Sequence, residues 1–440
     1  MDPEVLKILL IIIAGLVVLF ITGMPVAFCF ITITLGGVIY FWGSGAGIPI
    51  LIQNVFSSIS TFTLLPIIMF VFLGQVMFRS DMAFNMLNTL DKWLGRLPGR
   101  LAILSVLFSA LFATMSGSQM ASASMLGSIL VPDMQKRGYS KTMTIGPIMG
   151  AGGLAMIIPP SNLGILLAVV GGMSVAKLLM AGLLPGIMLA CFYLGYVVIR
   201  CKLQPHLAPP YEVKTYPIKE KIVDACKYVL PLTLIIVLVL VFMFIGWATP
   251  TESAVLGAMG ALILAICYRK FNYAMLKNSL QQTVKISVNV LFILTGATTF
   301  SQILAFSGAT QELASYISSL PYNPIVIVIV MQLLVLILGC FMDSGSIIMV
   351  TIPIFMPIVR ALELDPIWFG LLFLINIEVG SITPPMGLML FVMKSVSPSD
   401  VTMGDIYKAG MPYVLCDLLG MAVIIIFPTI ALLIPSMMSG

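Results

Sequence analysis

From Tyr228 to Trp247 the chain runs through twenty residues without one charged side chain. A backbone in hydrocarbon must satisfy its own N–H and C=O groups, so about 20 apolar residues in a row read as a membrane-crossing helix. Strands of a membrane barrel alternate apolar and polar residues, and this run does not. Similar runs recur along the whole chain. Of its 440 residues, 60% are hydrophobic and 9% charged, against about 25% charged in a soluble domain. No soluble core hides that much apolar surface. The fold class is therefore an all-α polytopic membrane protein, with membrane lipid as its surroundings.

The net charge of +5 does not point to nucleic acid, because the basic residues sit in short loops between apolar runs. The seven cysteines are scattered without a CxxC pair, and the single histidine, His206, lies in a polar loop. Neither supplies a metal-ligating cluster. Acids in the first four residues stand where a signal peptide carries bases, so Ile8 to Ile21 reads as a retained first helix.

Apolar runs and loop charges predict helices over about 6–22, 26–42 and 62–78, then a basic amphipathic stretch over 80–99 that reads as an interfacial arm. Further helices fall at about 141–171, 177–200, 228–246, 252–268, 283–306, 366–395 and 411–435, with a polar loop over 201–227. Two segments, 101–134 and 324–360, are broken at Ser116-Gly117-Ser118 and at Asp343-Ser344-Gly345-Ser346. Each is two crossings or one re-entrant hairpin. Their arms fall short of the roughly 20 residues a crossing needs, which favours hairpins. The total is about ten full membrane helices plus two hairpins. With hairpins, 19 of the 22 Lys and Arg fall on one side. The excess of bases in cytoplasmic loops makes that side the cytoplasm and puts both termini outside.

Landmarks repeat. Pro25 and Pro250, Ser116 and Ser344, Pro159 and Pro384 are separated by 225, 228 and 225 residues. With one half starting outside and the other inside, these read as two inverted-topology repeats, a pattern of secondary transporters. The expected division is 1–100 for scaffold helices and arm, 101–171 for one transport half, 172–306 for further scaffold, 307–395 for the other transport half and 396–440 for a C-terminal helix.

Irregular backbone at membrane depth survives where protein, water or a ligand satisfies it. Freed carbonyls with Ser and Thr hydroxyls suit a hard monovalent cation such as Na⁺. One candidate Na⁺ shell is Ser116 and Ser118 with backbone from Gly153 to Pro159. The other is Asp343, Ser344, Ser346, Gly380 and Thr383. The plainer alternative has these hydroxyls bonding back to their own helices. Half-helices that begin after Pro159-Pro160 and Pro384-Pro385 present free N–H groups to anions. Candidate substrate contacts are thus Gly117, Ser118, Ser161, Asn162, Gly345, Ser346, Met386 and Gly387. Gly150 to Gly153 equally suits close helix contact. Asp343, Glu378 and Asp417 are acids inside apolar spans, which default to function; Asp417 is equally a buried hydrogen-bond partner. Glu252, after Thr249-Pro250-Thr251, reads as a helix cap.

At these residues the chain resembles the large membrane subunit of tripartite ATP-independent periplasmic (TRAP) transporters, the DctM-like proteins. The matching stretches are Met115-Ser116-Gly117-Ser118, Leu126-Gly127-Ser128-Ile129-Leu130-Val131-Pro132, Lys136-Arg137-Gly138-Tyr139, Ile158-Pro159-Pro160-Ser161, Ala248-Thr249-Pro250-Thr251-Glu252-Ser253-Ala254 and Ile382-Thr383-Pro384-Pro385-Met386-Gly387-Leu388. The second turn, Met342-Asp343-Ser344, departs from the Met-Asp-Thr form common in that family. The resemblance implies an elevator-type importer of a small organic anion in a bacterial inner membrane. It implies two or more coupling Na⁺ ions, a separate small four-helix membrane subunit and a periplasmic substrate-binding protein. A stand-alone Na⁺/organic-acid symporter is the alternative. An intramembrane enzyme would need a nucleophile–base pair or metal ligands, and the sequence offers no GxSxG, no HExxH and no intramembrane His.

Overall fold

The computed structural model describes residues 3–95, 97–209 and 216–438, leaving out the side chains of 3, 5, 6, 44, 46 and 113–116. All regular structure among the described residues is helical. Among the described residues, eight helices are long and apolar enough to cross a bilayer, or nine if one bent pair is a single span. The expected location of the extreme termini falls on residues outside the described set, as do Arg96 and Lys214 of the charge count.

The chain opens with α1 (Pro3–Ile21) and α2 (Val26–Ile59). The second is longer than the expected 26–42. It turns at Gly43, whose φ of 70° only glycine adopts freely, and continues as helix. The apolar stretch after the turn is too short to register as a span. A 3₁₀ turn over Phe62–Leu64 leads into α3 (Leu65–Arg79).

The arm is α4 (Met82–Leu94), with Met82, Ala83, Met86 and Leu87 buried on one face. It is tied down at its far end. Lys92 donates to Glu220 at 2.7 Å and Asp224 at 2.6 Å, and the Trp93 indole donates to the Lys221 carbonyl at 3.2 Å. The bonds to Asp224 and then Glu220 hold the Lys92 ammonium above the ordinary lysine range.

Two helix pairs occupy the segments read as hairpins. The first is α5 (Arg100–Ser116) and α6 (Gln119–Lys136). Next come α7 (Lys141–Gly152), α8 (Leu154–Ile157) and α9 (Asn162–Gly171), a helix interrupted where expected. The segment expected at 177–200 is α10 (Val175–Ala181) and α11 (Leu183–Leu203), parted at Gly182, where a Cβ would lie 2.0 Å from the Ile157 carbonyl oxygen. The polar loop over 201–227 contains α12 (Ile218–Asp224). This runs through one π turn into α13 (Leu230–Ile245). On α13, Leu232, Ile236, Val239 and Met243 face the protein, while Leu234, Val237, Leu238 and Val241 are exposed. A helix apolar all round suits a membrane span, and its exposed row is apolar enough to face lipid.

The helix α14 (Pro250–Cys267) starts with a reciprocal cap: Glu252 N–H donates to Thr249 Oγ1 at 3.3 Å and Thr249 N–H to Glu252 Oε2 at 2.8 Å. The capping expectation for Glu252 therefore holds. The expected helix over 283–306 starts earlier, as α15 (Tyr273–Phe306), because Asn272 caps it. It is followed by a polar helix absent from the sequence reading, α16 (Ala309–Ser318). Four elements then mirror the earlier set: α17 (Pro324–Gly339), α18 (Ser344–Ala361), α19 (Pro366–Ile382) and α20 (Leu388–Val396). The second hairpin breaks over 340–343 rather than 343–346, since Asp343 caps a helix whose first residue is Ser344. The expected helix over 411–435 is α21 (Met403–Ile426) and α22 (Thr429–Ser436), separated by Phe427-Pro428.

The hairpins and broken helices pack through small residues. A Cβ on Gly150 would lie 2.3 Å from the Tyr413 ring, and one on Gly339 would lie 2.8 Å from the Gly380 Cα. Lipid offers no hydrophobic drive for helix association, so close backbone approach and its dispersion contacts carry the packing.

Candidate functional site

The two hairpin turns are built differently. In the first, Gly117 adopts φ 54° and its carbonyl accepts from Asn162 Nδ2 at 3.3 Å. A Cβ there would lie 2.7 Å from that amide nitrogen, so both the backbone conformation and the close approach require glycine. Ser118 is the N-cap of α6, accepting from the Ala121 N–H at 3.4 Å. The Ser116 side chain lies outside the described residues. In the second turn Asp343 caps α18. It accepts from the Ser346 N–H at 3.0 Å and from the Ser346 hydroxyl. Ser346 is thereby fully buried behind the turn.

The helix breaks also differ. Ser161 is 1% exposed; its hydroxyl donates to the Met156 carbonyl at 2.6 Å and accepts from the Gly164 N–H at 3.0 Å. Residues 151–161 are all buried, Gly153 and Pro159 included. Thr383 Oγ1 donates back to the Val379 carbonyl at 2.6 Å. Pro385 and Met386 are exposed, and Gly387, the N-cap of α20, has no side-chain cap bond. The peptide bonds Pro159-Pro160 and Pro384-Pro385 are both cis.

Both turns face one cavity of about 970 Å³. Its lining includes Gly117, Ser118 and Gln119 from the first turn, Asn162 from the start of α9, and Asp343, Ser344 and Gly345 from the second turn. The cavity's remaining polar lining includes Gln75, Arg79 and Asp81 near the end of α3, and Asn272 and Asn278 at the start of α15. Of the expected site residues, Gly153, Pro159, Ser161, Ser346, Gly380, Thr383, Met386 and Gly387 are not on this wall. Among the buried side-chain oxygens without a protein partner are two that border this cavity, Gln119 Oε1 and Asn162 Oδ1. Both side chains border the first turn, where a hard cation would find oxygen donors. The Gln119 amide nitrogen is engaged, donating to Ser381 Oγ at 2.8 Å, and so joins hairpin 1 to the second broken helix.

Behind this wall lies a buried acid pair. Glu378 and Asp417 are both 0% exposed. The Tyr193 hydroxyl sits between them, donating to Asp417 and lying 3.3 Å from Glu378 Oε1. Asp417 is thus a buried hydrogen-bond partner. Glu378 also presses on the break between α7 and α8: a Cβ on Gly153 would lie 1.6 Å from its Oε1.

Sequence reasoning missed Arg79. Arg79 is one of the 19 bases assigned by charge to the cytoplasmic side, yet it lines the cavity. The available signal was Gln75, one helical turn earlier and polar within an otherwise apolar span.

The family model for the DctM component of the tripartite ATP-independent periplasmic transporter matches residues 13–430. The C4-dicarboxylate TRAP transporter large permease protein DctM of Pseudomonas aeruginosa is 31% identical over 87% of this chain and 88% of its own length. The sialic acid TRAP transporter large permease protein SiaM of Vibrio cholerae is 28% identical over 96% of this chain and 97% of its own. Among solved structures, the Alcanivorax borkumensis YdaH transporter superposes with a TM-score of 0.66, covering 89% of each chain at 14% identity. At that identity the likeness speaks to fold alone.

Proposed function

This chain belongs to the DctM component family of tripartite ATP-independent periplasmic transporters, and we propose that it is the Na⁺-coupled transport subunit for a small organic anion. The family makes it a multi-pass membrane transporter component rather than an enzyme. One observation carries the finer reading: a single cavity bounded by both hairpin turns and by the start of a broken helix. Free N–H groups at helix starts attract an anion, and buried acceptor oxygens beside the first turn attract a bare cation. Cargo and coupling ion are thus recognised side by side.

In this reading Na⁺ is held at the first turn by Ser116 and Ser118 with backbone from Gly153 to Pro159. A second ion is held by Asp343, Ser344, Ser346, Gly380 and Thr383. The anion meets Gly117, Ser118, Asn162 and Gly345 on the cavity wall, with Ser161, Ser346, Met386 and Gly387 supporting the helix starts. The hairpins and broken helices, within 101–171 and 307–395, move as the transport body against the scaffold of 1–100 and 172–306, carrying the loaded site across the bilayer. Residues 396–440 close the fold. Each Na⁺ moving inward through 100 mV releases about 2.3 kcal/mol, so two or more ions drive accumulation without ATP. A small four-helix membrane subunit steadies the scaffold, and a periplasmic binding protein delivers cargo to the outer face of the inner membrane.

Reconstitution tests this. In proteoliposomes with its small subunit and a loaded cognate binding protein, uptake is expected to require an inward Na⁺ gradient. Ser118→Ala and Ser346→Ala are each expected to raise the Na⁺ concentration for half-maximal uptake. An unchanged Na⁺ requirement in both variants would falsify the ion-site assignment. Uptake by the chain without a binding protein would instead favour the stand-alone symporter.

A further inference from the structure

Away from the cavity, the loop joining α14 to α15 holds a base in an unusual place. Arg269 follows the end of α14 with φ 55°, the left-handed conformation in which helices most often end on glycine. Its N–H donates to the Ile266 carbonyl at 2.9 Å, and the Lys270 N–H donates to the Ala265 carbonyl at 2.9 Å. The helix is thus closed off through a conformation strained for any residue with a Cβ. A base just past a helix end suits the dipole and a cytoplasmic loop. Neither reason requires it where glycine is easiest, and strain of this kind points to a use for the side chain. The surroundings add a second cation. Tyr268 lies 6.1 Å from Tyr228 between ring centroids, and its hydroxyl donates to the Lys227 carbonyl, so the turn before α13 sits beside the end of α14. Lys227 Nζ is 5.1 Å from the centre of the Tyr228 ring. Lys227 and Arg269 are both exposed and join no ion pair among the described residues. The acids of α12, Glu220 and Asp224, are both held by Lys92, and residues 253–311 contain no acid at all. Beyond this point the two helices pack closely, since a Cβ on Gly260 would lie 3.1 Å from Ile235 Cδ1. Leu230, Leu234 and Val237 of α13 and Met259, Ile263 and Ile266 of α14 stay exposed.

We infer that Lys227 and Arg269, framing the Tyr228–Tyr268 pair, bind the headgroup phosphate of an anionic phospholipid whose acyl chains lie along α13 and α14. Two unpaired cations at the end of an exposed apolar surface are complementary to such a lipid in both charge and polarity. Guanidinium presents a planar fork of donors to phosphate, and the ammonium adds a point charge. The two phenol rings occupy the boundary between polar and apolar, where tyrosine is favoured in membrane proteins. A zwitterionic lipid carries its own ammonium beside the phosphate and gains less from these bases. Neither base lines the cargo cavity, so the site is independent of cargo recognition.

The probes are dioleoyl phosphatidylglycerol and dioleoyl phosphatidylcholine, titrated into the full chain in detergent and read as the rise in melting temperature. The anionic lipid is expected to act at about tenfold lower concentration. Arg269→Gly removes the guanidinium and relieves the left-handed backbone, so it should keep its melting transition and lose most of the preference. Adding Lys227→Gln should remove the rest. Lys136→Gln with Lys202→Gln takes two exposed bases from elsewhere on the same side and should leave the preference intact. Equal action of the two lipids on the unsubstituted chain overturns the site. So does a preference that survives the loss of Lys227 and Arg269, or one that the Lys136 and Lys202 changes weaken as much, since overall charge would then decide it. Sodium phosphate reproducing the effect of the anionic lipid overturns the lipid as the occupant. In complex with the small membrane subunit the preference should persist. Its disappearance there assigns the surface to the subunit and overturns the proposal.

Discussion

The two proline-broken helices do the same job in opposite surroundings. The first break is buried from 151 to 161 and satisfies itself, with the Ser161 hydroxyl bridging the end of one half-helix and the start of the next. The second leaves Pro385 and Met386 exposed and borrows its partners. Tyr407 of α21 donates to the Pro385 carbonyl at 3.0 Å, and the Cys340 thiol of the second hairpin donates to the Pro384 carbonyl at 3.6 Å. A break shut off from water must be completed from within, because an orphaned amide or carbonyl costs more there than anywhere else. One reachable by solvent or ligand can remain open. The comparison marks the second break as the one held from neighbouring elements, through Tyr407 and Cys340, rather than from within.

Chemical labelling gives the widest expected separation. In a background without native cysteines, Met386→Cys should react rapidly with a maleimide in detergent and Ser161→Cys should resist it. Equal reactivity would erase the distinction between the breaks. Next comes Gly153→Ala. Its methyl would meet the Glu378 carboxyl, and overpacking of that severity is expected to cost about 3 kcal/mol or more, read as a fall in melting temperature. An unaltered melting temperature would show that Glu378 moves aside easily. The smallest effects separate the two kinds of support. Ser161→Ala leaves a buried carbonyl and N–H unmatched and should cost about 1–2 kcal/mol. Tyr407→Phe, which removes only a solvent-exposed hydrogen bond from a half-buried ring, should cost roughly 0.5 kcal/mol or less. If these two losses come out equal, burial is not what sets them apart.

Much of this was legible because punctuation is local. Ser-Gly-Ser and Pro-Pro interrupt apolar runs, and the four interruptions of helix fall within a few residues of them. Polar helices were not legible. The first turns of α15 carry Lys277, Gln281 and Gln282, and α16 is short and polar, so neither stands out from a loop by apolarity. The acid pair was half visible. Glu378 and Asp417 announced themselves as charges in apolar spans, but Tyr193 joins them from 185 and 224 residues away, where no spacing rule reaches. Arg79 was hidden by its own charge. A base beside an apolar run counts toward topology, and nothing in the count separates one that faces solvent from one that faces a cavity.

The crowding of Gly153 by Glu378 carries one more consequence. These positions differ by 225, the interval that separates Pro159 from Pro384. In the repeat reading those landmarks suggest, each of the two touches its own counterpart, as residues beside a pseudo-twofold axis do. Glycine on one side makes room there for a carboxyl on the other, so at that contact the two halves would be complementary rather than alike.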